Sequence, residues 1–304
     1  NIKQNVILST ATTYFNVLKA QEKIKLAKLE AKAVKERLEQ IKEQKAVGLT
    51  ANTEVEETQA QYDSVIVNVI VAENELADAL AQIHELTGQF YSDLKPLNIA
   101  DFKPDYAPEN VNNLFDKANQ NNAEIAQAKL TADIAREATY AAKSGHLPTV
   151  KLKGEYQYTK DIDELNLGVT VALALYTGCN ISSKVKEASF NQVAAKHDLK
   201  RQQRALMTSI RNSDNKIKAI VKTISAYNQL VVSSKSSLEA IRAGENVGTR
   251  TNIDVLNANS KMYDAERQLS GAKYDYIVLK LALEKEMGLL DEDDIKSANT
   301  YLIN

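Results

Sequence analysis

Apolar and small side chains return every seven residues along the first stretch of the chain, as Val17, Ile24, Ala31 and Leu38 in one column and Ala20, Ala27, Val34 and Ile41 in a second. Two such columns form the seam of a coiled coil, because a 3.5-residue period keeps one edge of a helix facing its partner. The pattern recurs between Ile181 and Ala243. There Leu199, Leu206, Ile220, Tyr227 and Ile241 share one heptad position, and Ile210, Ile217, Ile224, Val231 and Leu238 share another. Neither stretch contains Gly or Pro. At 1.5 Å per residue the second predicts a helix of roughly 95 Å, far longer than a globular domain uses. Such a helix bridges a distance or lines a tube.

The chain repeats itself at an offset of 200 residues: KAVGLTANTEV at 45–55 matches ENVGTRTNIDV at 245–255, with Val47, Gly48, Asn52 and Val55 recurring as Val247, Gly248, Asn252 and Val255. Gly88 and Gly288 obey the same offset. Each half reads as a long helix, a tight Val-Gly turn and a second long helix, which predicts two helical hairpins, over 1–88 and 179–288. Between them, Gln89 to Pro108 holds three of the four prolines and reads as loop. Helical patterns follow at about 109–120 and 122–143, so 89–144 is expected to be a lateral insertion outside the hairpins. A short C-terminal segment, 289–304, completes the chain.

After GHLPT at 145–149 the period changes to two. Val150, Leu152, Tyr156 and Tyr158 alternate with Lys151, Lys153, Glu155 and Gln157. Beyond DIDELN, read as a polar turn, Leu167, Val169, Val171, Leu173 and Leu175 alternate with small and polar residues. This predicts an antiparallel pair of strands within 145–178. An apolar row on one face and a polar row on the other suits a transmembrane barrel strand, with Leu152, Tyr156, Val169, Val171 and Leu173 facing lipid. A soluble hairpin with one buried face is the competing reading, and two strands alone make no stable sheet.

Composition narrows the function. The 304 residues carry a net charge of −2 and a pI near 6.1, which gives no basic stripe for nucleic acid. No run of about 20 apolar residues exists to make a spanning helix, although a strand barrel remains allowed. The single cysteine, Cys179, excludes an internal disulfide and reads as a small buried hydrophobe. His84, His146 and His197 lie too far apart for a zinc site or a nucleophile's base and read as surface or packing residues. No phosphate loop or catalytic carboxylate pair appears, so an enzyme is not expected and no cofactor is implied. The chain opens on NIKQNVILSTATTYF, already the interior of a helix, so a mature or truncated chain is expected.

Several segments together resemble the TolC family of outer membrane channels: ATTYFNVLKAQ at 11–21, VGLTANTEV at 47–55, AQYD at 60–63, GHLPT at 145–149 and NVGTRTNIDVLNA at 246–258. The resemblance implies a mainly α fold with a small β part. Three subunits would build a twelve-strand barrel in the outer membrane of a Gram-negative bacterium, continuing into a tapered α-helical barrel across the periplasm. It further implies a passive homotrimer that exports drugs, toxins or proteins with a periplasmic adaptor and an inner-membrane efflux or ABC transporter. The match starts partway into the family's pattern, with two of four expected strands per subunit. Ala174 stands where the family often has Pro, and Cys179 where a second Gly is usual. The alternative from another class is a soluble coiled-coil scaffold or periplasmic adaptor.

By the same resemblance the turns at 47–54 and 247–254 lie at the periplasmic tip and close it. Arg250 would pair with Glu54 and Thr53 on the other hairpin, since a guanidinium binds a carboxylate through two parallel hydrogen bonds. Residue types alone favour helix caps, with Thr251-x-x-Asp254 a capping pair. Asp254 maps onto one acidic ring around the pore, binding cations weakly, and Asn257 leaves a second ring neutral. Like-charge repulsion between three copies would raise the Asp254 pKa. Glu245 stands where a gate Tyr is familiar. Val47, Gly48 and Leu49 with Val247, Gly248 and Thr249 match the contacts for an adaptor, and the glycines equally serve a turn needing φ > 0.

Overall fold

The computed structural model describes residues 2–91, 94–96, 102–160 and 162–299. In chain order they form α1 (Ile2–Ala46), α2 (Asn52–Thr87), α3 (Val111–Asn121), α4 (Ala123–Ser144), β1 (Thr149–Thr159), β2 (Ile162–Ala172), α5 (Asn180–Asn246), α6 (Asn252–Met287) and α7 (Glu292–Asn299). The 67 residues of α5 give a length of roughly 100 Å at the usual rise. The chain divides into two compact units, Asn1–Ala118 with Ser209–Asn304, and Asn119–Thr208. The predicted lateral stretch is shared between them: most of α3 belongs to the first and α4 to the second.

In the first unit α1 packs along both α2 and α6. Its two heptad columns are the reason: all eight residues are buried except Ile24, which is half-buried. Val17 and Ala20 meet Ala79 and Ile83 of α2, and farther along Ala31 and Val34 meet Val65 and Leu256. Each fully buried Val, Leu or Ile contributes about 1.5–3 kcal/mol, so the seam outweighs the weak intrinsic preference of any one turn. On α5 the column Ile210, Ile217, Ile224 and Leu238 is buried and Val231 half-buried, while Leu206, Ile220, Tyr227 and Ile241 are half-buried. Leu238 packs with Val255, Ala258 and Met262 of α6.

Two buried carboxylates anchor these helices. Glu30 on α1 accepts from Arg267 Nη1 of α6 at 2.7 Å. Asp214 on α5 accepts from the Tyr106 hydroxyl at 2.7 Å and from Lys218 Nζ at 2.6 Å. Tyr106 belongs to the stretch before α3, so this bond straps that stretch to α5. Burial first and then Asp214 push the Tyr106 hydroxyl well above its ordinary pKa, which keeps it a donor. Phe102 stands edge-on to Tyr276 in the same strap, with centroids 5.8 Å apart.

In the second unit α4 begins at Asn122, whose side chain accepts from the amides of Glu124 and Ile125. Thr139 Oγ1 donates to the Ala188 carbonyl at 3.2 Å and ties α4 to α5. β1 and β2 pair antiparallel, with Val150 opposite Val171, Leu152 opposite Val169, Gly154 opposite Leu167 and Tyr156 opposite Leu165. These residues share one face, and Lys151, Lys153, Glu155 and Gln157 share the other. Every β1 residue is exposed.

Three expectations are corrected. The polar stretch DIDELN is not a turn: from Ile162 on it is paired strand, with Asp163 opposite Tyr158 and Asn166 opposite Glu155. Pairing from Thr159 opposite Ile162 sets the register and carries polar residues into the ladder. Leu173 and Leu175 consequently fall beyond β2. Cys179 is exposed rather than buried, and with φ +66 it is the one non-glycine residue at positive φ among the described residues. It follows Gly178, at φ +59, in the bend from strand to α5.

Candidate functional site at the hairpin turns

The two Val-Gly turns are built alike. Gly48 N–H donates to Lys45 O at 3.0 Å and Leu49 N–H to Gln44 O at 2.9 Å; Gly248 N–H donates to Glu245 O and Thr249 N–H to Gly244 O, both at 2.9 Å. This is the Schellman closure, in which a left-handed residue just past the helix end lets the next amides reach back to the last carbonyls. Gly48 and Gly248 both have φ +78, and a Cβ on either would meet nothing within 4 Å. Backbone conformation alone therefore demands glycine. Around them Val47, Leu49 and Val247 are 70, 78 and 74% exposed, an apolar tip. Thr249 beside them is exposed.

The helices that leave the turns start differently. Thr251 caps α6 in a full capping box: its Oγ1 accepts from the Asp254 amide at 3.3 Å, while Asp254 Oδ2 accepts from the Thr251 amide at 3.0 Å. These Thr251 bonds, backbone first, hold the Asp254 carboxyl below its ordinary pKa, with Arg250 adding to the effect. Within one chain Asp254 is thus a helix cap with a depressed pKa. The α2 start has no side-chain cap at Ala51, and Glu54 instead accepts from Thr50 Oγ1 at 2.7 Å.

Among the described residues of one chain, Arg250 makes no bond to Glu54 or Thr53. Each is held by its own turn: Glu54 by Thr50, and Arg250 by folding its stem over Gly244, where a Cβ would lie 2.8 Å from Arg250 Cγ. Arg250, Thr53 and Asn257 are exposed.

The two hairpins are instead joined by a residue outside the turns. Arg37 of α1 forms an ion pair with Glu245 at the end of α5, both side chains 20% exposed, and its Nε donates to Asn252 Oδ1 of α6 at 2.6 Å. Asn252 Nδ2 donates in turn to the buried Thr58 Oγ1 of α2 at 2.7 Å, and Thr58 Oγ1 donates to the Glu54 carbonyl. One guanidinium thereby ties all four long helices together. Burial lowers the Arg37 pKa, Glu54 raises it and Arg242 lowers it further. Sequence reasoning missed Arg37 and Thr58. Asn252 had a signal, because it recurs as Asn52, and Asn52 likewise accepts from a base, Lys45.

Long paired helices with open apolar turns, and an amphipathic two-stranded element inserted between the hairpins in the chain, define a helical-barrel subunit with a small β part. A family model described as outer membrane efflux protein matches residues 2–89 and 114–289. The chain belongs to that family. It is 39% identical over 312 residues to the outer membrane protein TolC of Vibrio cholerae, covering 99% of this chain and 71% of that protein. It is 37% identical over 319 residues to the TolC of Escherichia coli, covering 99% and 64%. The chain thus spans about two thirds of the length of the curated relatives it matches. The open-state MtrE outer membrane channel of Neisseria gonorrhoeae superposes with a TM-score of 0.80 at 16% identity, over 94% of this chain and 67% of that one, which shows the shared fold. These relatives are outer membrane channel proteins rather than enzymes, and they give the chain an outer membrane location in a Gram-negative bacterium.

Proposed function

We propose that this chain is the greater part of one subunit of a homotrimeric outer membrane duct, which exports drugs, toxins or proteins and performs no chemistry of its own. The carrying observation is the β1–β2 hairpin. Its strands of 11 residues have the length a tilted membrane strand needs. Val150, Leu152, Leu167, Val169 and Val171 are 64–79% exposed on its one apolar face. A two-stranded sheet of this kind leaves two open edges, which lipid does not tolerate, so neighbouring strands must complete a barrel. Residues 145–178 are then the membrane part, 1–88 and 179–288 the periplasmic α-barrel, and 89–144 with 289–304 its lateral girdle.

In this reading the exposed tips, Val47-Gly48-Leu49 and Val247-Gly248-Thr249, dock a periplasmic adaptor, and an inner-membrane efflux or ABC transporter supplies the energy. Arg37 holds the two hairpins of one subunit together, with Glu245 as its partner. Arg250, which makes no carboxylate hydrogen bond among the described residues of its own chain, reaches Glu54 or Thr53 of the next subunit. Three Asp254 side chains around the axis bind cations weakly, and Asn257 leaves the second ring neutral. Membrane fractionation and planar-bilayer recording of the full-length protein test this. Outer membrane recovery with a low resting conductance is expected. Recovery as soluble periplasmic protein without conductance would overturn it.

A further inference from the structure

The end of α4 and the start of α5 lie side by side at the foot of the strand hairpin. Thr139 Oγ1 bonds the Ala188 carbonyl at 3.2 Å, and a Cβ on Gly145 would stand 3.2 Å from Ile181 Cγ2, so the two helices run antiparallel in close contact. Thr149 Oγ1 donates to the Ala172 carbonyl at 3.3 Å and closes the hairpin just beyond them. Around this foot the apolar surface continues past the ladder: Tyr140, Leu147, Leu175 and Tyr176 are 58–91% exposed. Three exposed lysines stand within a turn of one level, Lys143 on α4 and Lys184 and Lys186 on α5. Among the described residues none of the three has a carboxylate partner, and Lys143 Nζ lies 5.8 Å from the Tyr140 ring centroid.

The charges divide by side. Half-buried Ile181, Val185 and Ala188 form the α5 stripe at this contact, and buried Thr139 with half-buried Ala142 forms the α4 stripe. Counted from those stripes at 3.6 residues per turn, with the second helix reversed, Tyr140, Lys143 and Lys186 fall on one side of the pair. Lys184 and Glu187 fall on the other side, three residues apart, where base and acid offset each other. The first side therefore carries two uncompensated ammonium groups beside a tyrosine, with no acid among them.

We infer that this side binds the phosphodiester groups of anionic phospholipid in the inner leaflet of the outer membrane, with Lys143 and Lys186 as the recognising groups. The inference rests on the membrane reading of the hairpin above. In that reading the strands occupy the hydrocarbon and the helices leave it on the periplasmic side. The foot then lies at the headgroups of the inner leaflet, where phospholipid rather than lipopolysaccharide supplies the phosphate. A lysine suits that depth, because its methylenes stay against apolar surface while the ammonium reaches an anion. A tyrosine with one wet end suits it equally. Each lysine beside an anionic lipid surface contributes about fivefold in binding.

The test is native mass spectrometry of the full-length protein titrated with phosphatidylglycerol, phosphatidylcholine or lipopolysaccharide. The parent is expected to hold phosphatidylglycerol more tightly than phosphatidylcholine. Lys143→Gln and Lys186→Gln should each lower that preference by about fivefold, and the double variant should lower it further. Lys143→Arg with Lys186→Arg should keep it, and Lys184→Gln with Glu187→Gln should leave it unchanged. Equal retention of the two phospholipids by the parent, an undiminished preference in the glutamine variants, or its loss in the Lys184 and Glu187 pair would overturn the inference while the membrane reading stands. Tighter retention of lipopolysaccharide than of phosphatidylglycerol would overturn the inner-leaflet assignment. A parent protein recovered as soluble periplasmic protein removes the membrane reading and the inference with it.

Discussion

Arg37→Ala removes, in one substitution, the ion pair to Glu245 and the hydrogen bond to Asn252, the two bonds of Arg37 that join the hairpins near their turns. Both ionic partners are 20% exposed, which puts the pair between two limits: at most about 1 kcal/mol for a surface pair and about 3–5 kcal/mol for breaking a buried one. Burial lowers the Arg37 pKa, so desolvation works against the charged form. A loss of about 2 kcal/mol per chain follows, or roughly thirtyfold in the ratio of joined to parted hairpins. Single-channel recording of the full-length protein in planar bilayers should show open occupancy rising by about that factor, with hydrogen exchange accelerating at the starts of α2 and α6. Arg37→Lys should recover only part of the closure, because an ammonium cannot present a planar fork to Glu245 and Asn252 together. The exchanged pair Arg37→Glu with Glu245→Arg should recover more. Unchanged conductance and unchanged exchange in an assembled Arg37→Ala protein would refute the tie as a gate element.

Leu167 sits at mid-strand opposite Gly154, whereas Val171 is next to the end of β2, so Leu167→Arg should cost about 2–4 kcal/mol in membrane stability and Val171→Arg about 0–1, measured by urea unfolding in lipid. Gly248 has φ +78 with open space around it, so Gly248→Ala should lower stability by about 1 kcal/mol, Gly248→Asn by less and Gly248→Val by more, read as Tm. Arg267→Ala leaves Glu30, 1% exposed, without its cation and should destabilise by about 3–5 kcal/mol, with Glu30→Gln relieving part of the loss. The Asp254 pKa is depressed in the folded state, so the cap contributes above the ordinary Asp value near about 3.9 and is lost as pH falls through the lower folded value. Amide exchange at the start of α6 should therefore quicken with acid over that window, and Asp254→Asn should flatten the dependence.

The long helices were legible because their signals are local: a seven-residue column needs only its own helix to be read, and a glycine at φ +78 announces a turn wherever it stands. The 200-residue repeat placed both turns and both closing glycines, Gly88 and Gly288, within a residue of the helix ends. The strand pair was legible as alternation, but its start was not. Polarity read Asp161 to Asn166 as a turn, while backbone pairing from Ile162 to Ala172 overrode it. The environment of Cys179 lay equally beyond sequence, since exposure depends on what packs over a bend and not on the residue in it. Above all, tertiary structure decided the partners. Arg37, Glu245, Asn252 and Thr58 sit on four helices, and which side chains meet depends on how each helix is turned about its axis and how far it is slid along its neighbour. A heptad column says that a helix has a partner. Only the packed set of helices showed that α1 has two, α2 and α6, and that α2 reaches α6 as well.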